Sequence, residues 1–144
     1  MKTNSPQQTK KYAQDLAQDL DSGDIILLEG ELGSGKTTFV KGVCEHFGIN
    51  ESEARSPTFT LMNTYTTLKY QDKAEQIVHI DTYRMDEPQE LIDIGVKEHL
   101  DDEKSIVLVE WPEKIKDLVE KRDTKKIKFK HLKDNRRKIE YNAT

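Results

Sequence analysis

Cysteine, long apolar runs and low-complexity segments are scarce or missing in this 144-residue sequence. The single cysteine, Cys44, excludes an intrachain disulfide, so we expect a protein of the reducing cytoplasm. The longest apolar runs are four residues, far below the ~18 needed to cross a bilayer, and no charged-then-apolar leader begins the sequence. These absences predict a cytoplasmic protein without a membrane partner.

Apolar side chains are also sparse. Hydrophobic residues make up 34% of the sequence and charged residues 35%, against ~45–50% apolar residues in a typical domain. The length suits one domain, and no repeat or linker divides residues 1–144. We therefore expect a single domain with a lean core, to whose stability a bound ligand or a partner protein contributes.

The net charge of −4 is unevenly distributed. Residues 121–138 include ten basic and two acidic residues, which gives +8 in this segment and −12 in the remainder. Such a field suits RNA or an acidic protein surface. The alternative is a solvated strand face that lysines keep soluble.

Helical and strand patterns alternate along the chain. Ser5–Gln8 reads as a capping box with proline at the first helical position, and it begins an amphipathic helix. Further helices are predicted at 36–47, 88–94 and 113–119, and strands at 25–28, 59–68, 76–81 and 105–109, with a C-terminal hairpin over 127–141. This pattern predicts a three-layer α/β fold with a mainly parallel central sheet, added antiparallel strands and a C-terminal hairpin.

The strongest motif is Gly30–Thr37, a complete GxxxxGK[ST] phosphate-binding loop that follows the strand run Ile25–Leu28. Its glycines allow successive backbone N–H groups to curl around a polyanion. Lys36 places a positive charge on the β and γ phosphates, and the Thr37 hydroxyl can hold Mg²⁺. A chance turn before an ordinary helix is the alternative. The candidate nucleotide-binding residues are Glu31, Leu32, Gly33, Ser34, Gly35, Lys36, Thr37 and Thr38.

Two carboxylates end predicted parallel strands, Asp81 after 77–80 and Glu110 after 105–109. Both are expected at the carboxyl edge of the sheet, where ligands bind. We assign Asp81 to the metal, through water, and Glu110 to the attacking water as base or orienter, although the two roles could be exchanged. Either residue could instead simply cap the next turn.

Thr58, in the segment Ser56–Thr60, is a candidate sensor of the γ-phosphate, with Thr60 next. A plain turn followed by strand threonines is the alternative. Trp111 directly follows Glu110, so we expect it at the edge of the site, where it stacks on a base, contacts a partner or simply packs.

Two further polar residues flank Asp81. Arg84 could reach a phosphate or an RNA backbone, but a surface ion pair with Asp86 or Glu87 is the simpler explanation. His79 has no second histidine or cysteine at ligand spacing, so we predict a core residue whose polar atoms are satisfied.

Four blocks occur in order: Gly30–Phe39, Ser56–Phe59, His79–Arg84 and Val109–Glu113. With them the chain resembles the TsaE (YjeE) family, the bacterial ATPases of tRNA threonylcarbamoyladenosine synthesis. The resemblance covers residues 28–111 by motif and is far more specific than the phosphate loop alone. The very basic C-terminal segment matches none of these blocks, so contact of this segment with tRNA is suggested by charge alone.

The resemblance implies a P-loop fold that binds ATP or ADP with Mg²⁺. It also implies weak hydrolysis unless two partners, TsaD and TsaB, are present, with ATP use resetting the machinery between rounds of tRNA modification. Lys36, Thr37 and Thr38 fall on the family's nucleotide and metal positions, and Asp81 falls on its metal position. Glu110 and Trp111 fall on its hydrolysis position and the adjacent aromatic position.

Three other functions remain open from the residues alone. A small-molecule kinase would need an acceptor pocket and an arginine-bearing lid. A GTP-dependent switch would need an [NT]KxD segment to read guanine, and the sequence has none, so adenine is preferred. An RNA-binding module with a structural nucleotide would show steeply salt-dependent binding to tRNA.

Overall fold

The computed structural model describes residues 1–57, 60–68 and 74–143. The strands in this part of the chain are β1 (Lys2–Thr3), β2 (Ile25–Gly30), β3 (Met62–Thr66), β4 (Gln76–Asp81), β5 (Ser105–Glu110), β6 (Lys125–His131) and β7 (Arg137–Ala143). The helices are α1 (Pro6–Ala17), α2 (Lys36–His46), α3 (Gln89–Asp93), α4 (Val96–Leu100) and α5 (Lys116–Val119), with a 3₁₀ helix at Pro112–Ile115 before α5.

All described strands lie in one sheet, in the order β1-β7-β6-β2-β5-β4-β3. Strands β6, β2, β5 and β4 run parallel, and the antiparallel strands lie at the edges, with β7 on β6, β1 on β7 and β3 on β4. The predicted fold class is therefore confirmed, including the antiparallel additions and the C-terminal hairpin.

Helices cover both faces of the central strands. In β2, Ile26 and Leu28 pack with α1 and α2, whereas Ile25 and Leu27 pack with α3, α4 and α5 on the other face. Because alternate residues of a strand point to opposite faces, a strand buried on both sides must be continuously apolar. The four-residue apolar runs in the sequence thus correspond to the central strands of a three-layer domain.

Helix α1 holds α2 in place from the outside. Its N-cap is Ser5, whose side chain accepts a hydrogen bond from the backbone N–H of Gln8, and Pro6 occupies the first turn, as predicted. The two helices approach so closely at Gly42 that a Cβ there would lie 2.6 Å from the Ala13 Cβ and 2.5 Å from the Lys10 carbonyl oxygen. This contact fixes the direction of α2, and with it the position of the phosphate loop that precedes α2.

The segment after α3 differs from expectation. Gly95 does end the predicted helix, but it is also the N-cap of α4, with a φ of +91°. No element is predicted between the helix at 88–94 and the strand at 105–109, yet Val96 and Leu100 of α4 lie there and are buried in the core. A five-residue helix with two apolar positions gives too short a pattern for sequence periodicity to detect.

The first and last strands pair with each other at one edge of the sheet. The Met1 amino group donates a hydrogen bond to the Ile139 carbonyl oxygen over 3.0 Å, and Thr3 of β1 pairs with Arg137 of β7. The β6–β7 hairpin therefore lies beside both the start of α1 and the phosphate loop. None of the helices in the described part of the chain has the length and hydrophobicity of a membrane span.

Candidate nucleotide-binding site

The loop between β2 and α2 has the backbone that its glycines require. At Gly30 a Cβ would lie 2.7 Å from both the Phe129 carbonyl oxygen and Ser34 Oγ, so no larger residue fits. Gly35 is the N-cap of α2 in the left-handed region, with a φ of +104°, and Gly33 has a φ of +76°. These three positions turn the chain sharply from the end of β2 into α2.

The start of α2 suits an anion. The first N–H groups of a helix have no intrahelical acceptor, and no side chain caps this end. Ser34 Oγ is buried and has no hydrogen-bond partner among the described residues. Together with the adjacent Lys36 ammonium group, these free donors match the chemistry of a polyphosphate.

The Lys36 ammonium group contacts two uncharged partners above the loop. Its Nζ donates to the Gly30 carbonyl oxygen and lies 3.4 Å from the centre of the Trp111 ring. The side chain is buried, and desolvation lowers the pKa of Lys36, against the opposing attraction of Glu110, Glu113 and Asp81. Phosphate oxygens at this position would supply the full counter-charge that a carbonyl oxygen and a ring face do not.

Glu110 connects the phosphate loop to the sheet. Thr37 Oγ1 lies 3.0 and 3.2 Å from the two carboxylate oxygens of Glu110, and His79 Nε2 lies 2.6 Å from one of them. Glu110 and His79 are 2% and 1% exposed. The carboxylate is therefore fixed from two sides, at the position where the loop helix begins.

His79 is a buried and satisfied residue, as predicted, but its partner was not foreseen. The alternation of side chains along a strand could have identified Glu110 as this partner. His79 lies two residues before Asp81, so both side chains point to the same face of β4. In the parallel register Asp81 is opposite Glu110, which makes His79 a diagonal neighbour of Glu110 across the two strands.

Asp81 lies beside Glu110 at the carboxyl edge of the sheet. Its Oδ1 accepts a hydrogen bond from the Tyr83 backbone N–H over 3.0 Å, and Ser56 Oγ lies 3.5 Å from its Oδ2. Burial raises the pKa of Asp81, and the charge of Glu110 raises it further, against the lowering effect of the Tyr83 hydrogen bond. A cation between the two carboxylates would relieve this repulsion.

The oxygen donors here fit Mg²⁺ in type. A hydroxyl from Thr37 and carboxylates from Asp81 and Glu110 are hard ligands, as this ion prefers. Among the described residues there is no cluster of three or more His, Cys, Asp or Glu side chains that could hold a metal ion. A magnesium ion at this site would therefore depend on water and on the phosphates of a bound nucleotide.

Trp111 lies at the edge of the site, where the sequence placed it. It is half-buried, and its backbone is left-handed, with φ 59° and ψ 54°, an uncommon conformation for a bulky residue. The Thr82 hydroxyl donates to the Trp111 carbonyl oxygen over 2.6 Å, and the Tyr83 ring centre lies 5.0 Å from that of Trp111. These contacts keep the indole ring over Lys36.

A cleft of about 430 Å³ runs along these groups. Of the predicted residues, those that line it are Leu32, Gly33, Gly35, Lys36, Thr37, Thr38, Asp81, Arg84, Glu110 and Trp111. Glu31 is exposed and does not line the cleft. Its carbonyl oxygen accepts a hydrogen bond from the Ser34 N–H within the loop.

Two other predicted residues, Ser34 and Thr60, are not among the residues that line the cleft. Ser34 is buried beneath the loop. Thr60 is exposed and donates to the Asn63 side chain instead. Thr58 lies outside the described residues. Arg84 does line the cleft, and within the described part of the chain it forms no ion pair with Asp86 or Glu87.

Arg137 is a site residue that the sequence did not reveal. It begins β7, and its Nη2 donates to the Gly33 carbonyl oxygen over 3.1 Å. Its side chain reaches the same end of the cleft as Ser5, Pro6 and Thr9 at the start of α1. In the sequence Arg137 is one of ten basic residues in a single run, and only the pairing of β7 with β1 and β6 separates it from the others.

Comparison with known proteins identifies relatives over most of the chain. The family model for the threonylcarbamoyl adenosine biosynthesis protein TsaE matches residues 3–139. A tRNA threonylcarbamoyladenosine biosynthesis protein TsaE from Rickettsia felis is 40% identical over 116 residues, which are 81% of this chain and 64% of that protein, just under two thirds of its length. The protein of the same name from Bacillus subtilis is 35% identical over 142 residues, 99% of this chain and 84% of that protein.

A solved structure agrees with these relatives. The crystal structure of Bacillus subtilis YdiB superposes with a TM-score of 0.76 at 32% sequence identity. The superposition covers 99% of this chain and 83% of the YdiB chain. The similarity thus extends over the whole sheet, including the hairpin that carries Arg137.

Proposed function

The chain belongs to the TsaE family, and from that membership we propose that it binds and hydrolyses ATP in the biosynthesis of threonylcarbamoyladenosine in tRNA. One observation carries the proposal. Lys36 and Thr37, the two side chains of the loop that a triphosphate requires, meet the strand-end residues Glu110 and Trp111 in one cleft. A P-loop NTPase fold with that juxtaposition supports nucleotide chemistry.

Binding of the triphosphate would exchange partners at the loop. Lys36 would give up the Gly30 carbonyl oxygen and the Trp111 ring for oxygens of the β and γ phosphates. The N–H groups at the start of α2 would hold the remaining negative charge. Each of these donors already lies in the cleft wall, so binding requires little movement of the backbone.

We assign the attacking water to Glu110. Its carboxylate is held by His79 and by Thr37, which fixes its direction before the substrate arrives. Asp81 and Thr37 would hold Mg²⁺, and the ion when bound would neutralise charge that develops on the phosphate oxygens. The exchanged assignment, with Glu110 on the metal and Asp81 on the water, predicts that Glu110→Gln rather than Asp81→Asn abolishes the magnesium dependence of ADP binding.

We further propose that the chain acts as a single domain in the cytoplasm and hydrolyses ATP slowly alone. On this proposal TsaD- and TsaB-like proteins stimulate hydrolysis, which resets the assembly between rounds of tRNA modification. The position of Trp111 supports this proposal. Its half-buried ring contacts both Lys36 and Tyr83, so a protein that docks on Tyr83 can shift the ring and change the environment of Lys36. Tyr83 is 43% exposed, so a partner can reach it.

The decisive experiment measures nucleotide binding and turnover in steps. Calorimetry with Mg·ATP and Mg·ADP should show binding to the wild-type chain and little binding to Lys36→Ala. The rate of ADP release is then measured for the chain alone, with the two partner proteins, and with tRNA added. Absence of heat with both nucleotides on folded protein would overturn the proposal, and unchanged binding by Lys36→Ala would refute the role of the loop.

The same preparation separates the competing functions. Phosphorylation of a small metabolite would indicate a kinase, and a tighter dissociation constant for GDP than for ADP would indicate a guanine-specific switch. We expect neither, because the sequence has no guanine-reading [NT]KxD segment and the described cleft presents Arg84 and Arg137 rather than an arginine-bearing lid.

A further inference from the structure

The basic run of residues 121–138 does not form one surface in the folded chain. Arg137 points into the nucleotide cleft. Lys125 forms an ion pair with Asp24 at 2.5 Å, and Arg122 forms one with Asp101 at 2.8 Å. Lys121, Lys133 and Arg136 lie in the connections before β6 and between β6 and β7. What remains on the strands is an alternating set of lysines on β6 with one lysine on β7.

These lysines share one face of the sheet with a lysine from the other end of the chain. In β6 the residues Lys126, Lys128 and Lys130 point away from α1 and α2, because Ile127 and Phe129 between them are buried against those helices. Lys130 is opposite Lys138 of β7, and Lys138 is in turn opposite Lys2 of β1. We call this set the lysine face: Lys2, Lys126, Lys128, Lys130 and Lys138.

The described helices leave the lysine face uncovered except at Lys126, which lines a cleft with Lys116 and Val119 of α5. Helices α3, α4 and α5 lie on this side of the sheet, but their core is built on β2, β4 and β5. Lys2, Lys128 and Lys130 are exposed, and Lys126 and Lys138 are half-buried. The three strands β1, β7 and β6 thus present a largely uncovered, positively charged sheet surface.

Acidic residues moderate this charge. Glu140 of β7 forms an ion pair with Lys138 at 2.9 Å and is opposite Lys128, which has Glu29 of β2 on its other side. The cleft beside Lys126 also contains Glu113, Glu120 and Asp123. The pair of Lys138 with Glu140 is about half exposed on both sides, so water and salt compete with it and it stabilises the fold little. Lys128 and Lys130 have no ion pair among the described residues, so they remain available to an external anion.

We propose that the lysine face binds the phosphate backbone of double-stranded RNA. The proposal goes beyond the nucleotide chemistry of the cleft and does not depend on it. Strand spacing of about 4.8 Å and a repeat of about 6.6 Å between alternate residues spread the charges over two dimensions. A surface of this kind matches rows of phosphates on a duplex better than one extended strand.

The composition of the face favours RNA over a protein partner. Lysine is depleted in protein interfaces, whose binding energy comes mainly from tryptophan, tyrosine and arginine. Among the described residues of β1, β6 and β7, the aromatic rings of Phe129 and Tyr141 pack on the opposite face. Without a ring on which bases can stack, single-stranded RNA loses its usual contribution to binding.

The test measures binding of the full chain to a 20-base-pair RNA duplex by fluorescence anisotropy at several salt concentrations, without nucleotide. If each of the five lysines contacts one phosphate, a slope of about 0.9 per contact predicts that affinity falls about 500-fold between 50 and 200 mM salt. In Lys128→Ala/Lys130→Ala the same interval should give only about a 40-fold loss, since two contacts are removed.

The matched control is Lys97→Ala/Lys104→Ala, which removes the same charge from exposed positions at α4 and before β5. We expect wild-type RNA binding from this control and unchanged ADP binding from both double variants. ADP binding also shows that each variant is folded, and it separates failure of this proposal from failure of the proposed ATPase function.

Three outcomes would overturn the proposal. Equal loss of RNA affinity in both double variants would mean that RNA binding depends on the net charge of the chain and not on the lysine face. Tighter binding of a single strand than of the duplex would contradict the assigned ligand. A wild-type chain that ignores the duplex but is retained on polyglutamate would assign the face to an acidic protein instead.

Discussion

At the scale of single residues, the two carboxylates at the sheet edge can be told apart by experiment. Glu110 is held by Thr37 and His79, whereas Asp81 has a raised pKa because it is buried beside Glu110. We expect Glu110→Gln to bind Mg·ADP normally and to hydrolyse ATP about 100-fold more slowly in single-turnover assays, since it loses the base. Asp81→Asn should instead lose the dependence of ADP binding on magnesium.

The converse pattern would exchange the two roles. If Glu110→Gln abolishes the magnesium dependence and Asp81→Asn leaves it intact, Glu110 is the metal ligand. The two variants are comparable because glutamine and asparagine keep the size of the side chains, and each substitution removes the charge and replaces one acceptor oxygen with an amide donor. Both variants can be checked for folding by their thermal unfolding without nucleotide.

Arg137 offers a second test at this scale. Its hydrogen bond to the Gly33 carbonyl oxygen holds the phosphate loop against β7. Loss of one such bond costs about 1 kcal/mol, so Arg137→Ala should weaken ADP binding about fivefold. Calorimetry with Mg·tripolyphosphate should show the same loss, because the residue acts through the loop. Arg136→Ala, in the preceding turn, is the control, and equal weakening by it would contradict this role.

Cys44 should be chemically inert in the folded protein. It is fully buried in α2, and desolvation raises the pKa of its thiol to about 12, so almost no thiolate exists at neutral pH. We expect no reaction with a thiol reagent such as DTNB in native buffer and one equivalent of reaction in 6 M guanidinium chloride. Rapid labelling of the native chain would mean that α2 opens readily.

At the scale of secondary elements, the contact between α1 and α2 positions the loop. A Cβ at Gly42 would clash with the Lys10 carbonyl oxygen and with Ala13, so the helices must separate to admit it. We expect Gly42→Ala to lower the free energy of unfolding by about 2 kcal/mol, even though alanine favours helix. Lys41→Ala, one position earlier in α2, should change it far less. Urea unfolding followed by circular dichroism measures both.

Sequence patterns predicted the central strands and α1 because these elements are determined by residues close together in the sequence. Four-residue apolar runs are required of parallel strands buried on both faces, and Ser5 and Pro6 mark the start of α1 by capping chemistry alone. Helix α4 escaped prediction because its two buried residues are separated by polar ones. The left-handed backbone of Trp111 also escaped, since only the contacts of the folded site stabilise it.

At the scale of the whole molecule, residues far apart in sequence come together through strand pairing. The pairing of β1 with β7 brings Thr3 to Arg137, and the parallel register of β4 and β5 brings His79 to Glu110. Neither contact follows from local pattern, although strand parity fixes the face on which each residue lies. Seven of the ten basic residues in 121–138 divide between the cleft, two ion pairs and the lysine face for the same reason, and the other three lie in connecting segments.

The small hydrophobic core predicts that a bound nucleotide stabilises the fold measurably. The nucleotide would contact elements from both ends of the chain and so hold them together. The cleft is lined by the start of α1, the loop before α2, the end of β5 and Arg137 of β7. A ligand that binds only the folded chain at 100 times its dissociation constant stabilises it by about 2.7 kcal/mol. At about 3 °C per kcal/mol for a chain of this size, Mg·ADP should raise the melting temperature by about 8 °C. Lys36→Ala should show no rise, and a similar rise in that variant would place the nucleotide outside this cleft.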